Sequence, residues 1–159
     1  MGLTLPGGLA EALSLMGVEF PGTDESALTA AAGEWRSLAS QCSGWHSELA
    51  SAVSHVQSNN EGAGVEAFAA YMGGQSNVTG VEALGKACEA IATGHETAAG
   101  LVVALKTAYI AAATALKAQM ESAKQQPDAD PAAMMAWAQQ AGAKLRQLDS
   151  QTASQIQGG

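Results

Sequence analysis

Apolar residues along this chain fall mostly three or four positions apart, and over two long stretches they keep a strict seven-residue repeat. Across residues 23–58 one set is Leu28, Trp35, Cys42, Leu49 and Val56, and the other is Ala31, Leu38, Trp45 and Ala52. Such a repeat places both sets on one stripe of an α-helix and predicts a long helix with a coiled-coil-like seam. Thr23 and Asp24 supply an N-cap and Glu25 an acidic first turn. Across residues 78–124 the repeat returns as Val81, Cys88, His95, Val102, Tyr109 and Leu116, with Leu84, Ile91, Ala98, Leu105 and Ala112 as the second set. His95 is the one polar member. At about 1.5 Å per residue the two helices would run roughly 50 and 70 Å. Two seamed helices joined by a compact turn predict an antiparallel hairpin.

Shorter elements surround the hairpin. Leu9, Leu13 and Met16 predict a short apolar helix over 5–16, opening after Pro6 and ending at Gly17 and Phe20-Pro21-Gly22. The run Ser58-Asn59-Asn60-Glu61-Gly62 reads as a turn. A short helix over 63–72 follows, with Val65, Phe68 and Met72 on one face, and Gly73-Gly74-Gln75-Ser76-Asn77 breaks it. Residues 125–131 read as a linker. Asp130-Pro131 then opens a last helix with the stripe Met134, Trp137, Ala141, Leu145 and Leu148, and residues 150–159 read as a polar, frayed tail. The predicted fold class is all-α, with a hairpin domain over 1–124, the linker over 125–131, and a C-terminal helix and tail over 132–159.

Composition narrows the function classes. Hydrophobic residues make up 47% of the 159, but aromatics only 4%, so the core must be thin, with helix lying directly on helix. Charged residues reach 14%, against about 25% in a typical globular protein. The formal net charge is −8, and the seven Lys and Arg do not cluster, which argues against nucleic acid and anionic lipid as partners. The first residues carry neither a basic start nor a long apolar run, so no Sec signal peptide is expected there, and an exported chain would need another route. Residues 98–116 hold a single charge, Lys106. A central Lys costs roughly 2.5–3.5 kcal/mol for insertion while each Leu, Ile or Val returns only roughly 0.3–0.6. That stretch reads as a buried helix, and a membrane location is not expected.

Candidate chemistry is sparse. The chain has no GxSxG, HExxH, phosphate loop or paired-carboxylate motif, so no enzyme, cofactor or metal site is expected. His46 and His55 lie about 13 Å apart along one helix and cannot share a metal by themselves, and His95 reads as a core histidine. Trp35 and Trp45 are large anchors that either fill the seam or face a partner. Leu101, Val103 and Ile110 lie outside both seam sets and widen the apolar stripe towards that of a bundle of three or more helices, covered within the chain or by a second chain. Cys42 and Cys88 fall in the seam, one on each arm, as two buried thiols or as a bridge between the arms.

A helical hairpin of this size, a Trp-bearing first arm, and Asn60-Glu61-Gly62 leading into Ala63 and Phe68 resemble the Trp-X-Gly superfamily of type VII (ESX) secretion substrates. The resemblance covers residues 2–124. The opening Gly2-Leu3-Thr4-Leu5-Pro6, with Phe20-Pro21 and Asp24-Glu25, looks like the long actinobacterial branch, whose members resemble the N-terminal domain of the mycobacterial channel-and-necrotizing-toxin family and related polymorphic toxins. The signature Trp would fall at Asn60, so only Gly62 and Phe68 match the turn motif. Neither Tyr71 nor Tyr109 begins the family's Tyr-X-X-X-Asp/Glu export signal. The resemblance implies a secreted or cell-envelope location through type VII secretion. It also implies a helix bundle with a small helical-hairpin partner or with a second copy, and contact with the secretion machinery. Trp35, Trp45, Leu101, Val103 and Ile110 are the expected interface residues.

Overall fold

The computed structural model describes residues 2–74, 77–126 and 130–158. The expected breaks at Gln75-Ser76 and at 127–129 of the linker lie outside the described residues. Among those described there are five helices and no strand: α1 (Ala10–Met16), α2 (Glu25–Asn59), α3 (Ala63–Met72), α4 (Val78–Gln125) and α5 (Pro131–Gly158). The fold is all-α and built on the two long helices α2 and α4.

The helix ends follow local chemistry. Ser26 N donates to Asp24 Oδ1 at 2.9 Å, capping α2, and Ala132 N donates to Asp130 Oδ1 at 2.9 Å, capping α5 with Pro131 in its first position. Gly17 ends α1 in the left-handed conformation (φ 66°), where its N–H reaches Ser14 O and Val18 N reaches Leu13 O, a Schellman closure. Two boundaries differ from the expectation. Helix α1 starts at Ala10 rather than at residue 5, because Gly7-Gly8 disfavours a helix and Gly8 itself sits at φ 80°. The tail expected to fray is helical to Gly158, with Thr152 buried.

The chain divides into two compact units, Met1–Leu28 with Thr97–Gly159, and Thr29–Glu96. In the first, Leu9, Ala12, Leu13 and Met16 of α1, Leu105, Tyr109, Ala113 and Leu116 of α4, and Ala138 and Leu145 of α5 form one core. Helices α1 and α5 touch closely: a Cβ on Gly142 would lie 2.0 Å from the Met16 carbonyl oxygen. Arg146 Nη1 donates to Gly17 O at 3.2 Å, adding a cation to the carbonyl end of α1.

The second unit holds most of α2, all of α3 and the start of α4. Among its described residues, the buried ones are Ala32, Ala39, Cys42, Cys88 and Ala92. The column through Cys42 and Cys88 is the expected one, but the second column is shifted by one residue. Ala32 and Ala39 are buried where Ala31 and Leu38 were expected to be, and Ala92 where Ile91 was. The physical reason is size. Alanine and glycine in the shifted column let two backbones approach, and a Cβ on Gly85 would lie 3.2 Å from Cys42 Cβ and 3.6 Å from Ala39 O.

Candidate docking face

The shift leaves large apolar residues uncovered. Trp45 is 48% exposed, Leu84 50% and Ile91 40%. Leu84 and Ile91 are seven residues apart and share one face of α4. In both helices the uncovered column flanks the Cys column on the side away from the shifted one. Antiparallel arms turn equivalent flanks to the same side, so the uncovered residues of α2 and α4 border one side of the hairpin. There Trp45, Leu49, Ala52 and Val81 line a shallow groove, with Glu48 at its edge.

The opposite side is polar. Ala39, Ser40, Ser43, His46, Glu82 and Lys86 border a cleft there. Arg36 pairs with Glu96 through its two terminal guanidinium nitrogens, and its Nε approaches Glu89 at 3.6 Å, while Lys86 pairs with Glu82 at 2.6 Å. The hydrogen bond from Lys86 holds the Glu82 carboxyl below its ordinary range, and the Glu96 carboxylate raises the Arg36 guanidinium. One side of the unit is thus fixed by its own charges while the other offers unpaired apolar area. Helix α3 also leaves its own surface uncovered, since it buries none of its residues and leaves Tyr71 71% exposed.

The expected interface residues separate. Trp35 is half-buried and Trp45 exposed, both in the second unit. Leu101, Val103 and Ile110 belong to the first, where Ile110 packs against the core, Leu101 is half-buried and Val103 is exposed. At the turn, Asn60 Nδ2 donates to Val56 O at 2.9 Å and so closes the end of α2. Gly62, at φ 107°, starts α3 by accepting from Val65 N and Glu66 N, and Phe68 lies on that exposed helix. Cys42 and Cys88 are free thiols, 0% and 1% exposed, and burial, then the neighbouring Cys42, pushes the Cys88 thiol up. Among the described residues no group of three His, Cys, Asp or Glu could hold a metal ion.

Sequence reasoning missed one polar centre in the first unit. Lys106 Nζ donates to Glu25 Oε2 at 2.6 Å and to Leu3 O at 3.0 Å, and Leu3 N donates to Glu25 Oε1. Both charged residues are buried, and Phe20 presents its ring 5.8 Å from the ammonium. The Leu3 N–H, then Lys106, hold the Glu25 carboxyl down at about 2. This centre fastens the first residues of the chain to α2 and α4.

Residues 6–112, more than half of the chain, match the family model described as a WXG100 like domain. No curated protein and no solved structure matches significantly.

Proposed function

The chain belongs to the WXG100-like domain family, and from that premise we propose that it is a non-enzymatic export and docking module of a type VII (ESX) secreted protein. We take it as the N-terminal trafficking domain of a toxin of the actinobacterial channel-and-necrotizing-toxin kind, with residues 1–124 as the secretion domain proper and 125–131 as its linker to the last helix. The reading implies a secreted or cell-envelope location. Family members typically pair as helical hairpins and associate with secretion machinery, and the uncovered column of Trp45, Leu84 and Ile91 is the observation that carries this mode here. The partner is a small helical hairpin with its own apolar stripe. Residues 29–96 hold seven glutamates against only Arg36 and Lys86, which favours basic residues flanking that stripe and disfavours a second copy of the same unit. The partner also brings the export signal that Tyr71 and Tyr109 do not begin.

The test uses Leu84→Gln with Ile91→Gln. Both side chains are already wet, so helicity and Tm should stay near wild type, while secretion and co-purification of the hairpin partner should be lost. Export that continues without the type VII machinery, or binding that survives the double change, would sink the reading. A second reading has one observation behind it. Helix α4 is long and apolar enough to cross a membrane, with mean hydropathy 1.7 over its best window and 39% of that window buried. Leakage of loaded vesicles on addition of the purified chain would favour a pore component instead.

A further inference from the structure

Cys42 and Cys88 sit at facing positions of α2 and α4, 46 residues apart in sequence, and each is sealed from solvent. Gly85, one turn before Cys88, is what allows this approach, because its missing side chain leaves the space beside Cys42 Cβ open. We propose that the two are a dithiol–disulfide pair that bolts the arms of the hairpin together when the chain folds in an oxidising compartment, and that they remain two thiols where thiols are kept reduced.

The burial of the pair dictates when it reacts. Desolvation, and then the Cys42 thiol beside it, raise Cys88 above the ordinary thiol range, so thiolate is scarce in the folded hairpin. Oxidation therefore belongs to the folding or transiently opened chain. The oxidant is a small-molecule disulfide or the disulfide of a thiol oxidoreductase. One cysteine, as thiolate, attacks a sulfur of that disulfide, forming a mixed disulfide and expelling one thiolate. The other cysteine, as thiolate, then attacks the first cysteine's Sγ, forming the Cys42–Cys88 bond and expelling the second thiolate. The two protons given up by the cysteines end on the two expelled thiolates, and the oxidant takes up two electrons. Once closed, the bond lies in the buried seam and leaves Trp45, Leu84 and Ile91 exposed. It would strengthen the hairpin without covering the docking face.

The experiment refolds the whole chain from denaturant with oxidised glutathione, or with reductant alone. Peptide mapping without reduction should find the Cys42 peptide joined to the Cys88 peptide in a monomer. The oxidised form should melt about 5–15 °C above the reduced form, because a loop of this length is closed in the unfolded chain. Cys42→Ala and Cys88→Ala should each show no such gain on oxidation. Two thiols still titratable after oxidative refolding, adducts or intermolecular dimers in place of the internal bond, or an internal bond that leaves Tm unchanged or lower would each overturn the proposal.

Discussion

A single buried charge pair sets the acid response of the first unit. Glu25 titrates at about 2 in the folded chain, against 4.5 as its ordinary value. A carboxyl with a lowered folded pKa contributes stability that is complete above its unfolded pKa and is lost as pH falls through the folded one. Thermal melts of the wild type should therefore lose Tm between about pH 4.5 and 2, and Glu25→Gln should flatten that dependence. The same variant should melt lower at neutral pH, since Lys106 would stay buried without its counter-charge. Two nearby apolar residues should behave oppositely. Val103 is 42% exposed, so Val103→Asp should change stability by no more than about 0.5 kcal/mol. Ile110 packs on the core, so Ile110→Asp should cost about 2–4 kcal/mol in denaturant unfolding. Equal effects from the two changes would contradict the packing described.

At the scale of elements, small residues decide which helix faces meet. Gly142 of α5 touches the backbone of Met16, an atom that cannot swing aside as a side-chain end could. Gly142→Ala should gain about 1 kcal/mol of helix propensity and lose more to the forced separation, about 1–3 kcal/mol. Its denaturation midpoint should fall, and amides of α1 should exchange faster. The hairpin, its heptads and its caps were legible in the sequence because each is a local pattern: Asp24 and Asp130 cap as their spacing implies. The choice between two adjacent apolar columns was not. Trp45 and Ile91 carry far more apolar area than Ala39 and Ala92, yet the close approach that Gly85 permits favours the small column. The signal was present in the glycine, seven residues before Ala92, and periodicity alone does not weigh it. Lys106 was legible only as a charge in an apolar run, because its partner Glu25 lies 81 positions away.

For the whole molecule, the two units differ in how the chain closes them. Residues 29–96 are contiguous, whereas the other unit joins the first 28 residues to those after 96. Arg146 reaches back across 129 positions to Gly17, and Leu145 shares a core with Leu9 and Leu13. Contacts of such separation form late, since their loop-closure entropy precedes any reward. Order in time follows. A chain emerging from its N-terminus first can complete the α2–α3–α4 hairpin while Leu9, Leu13 and Met16 still lack the α5 surface that covers them. During that interval the nascent chain presents the hairpin's bare column together with a sticky leading helix, and synthesis of α5 ends the interval by withdrawing the leading helix from view.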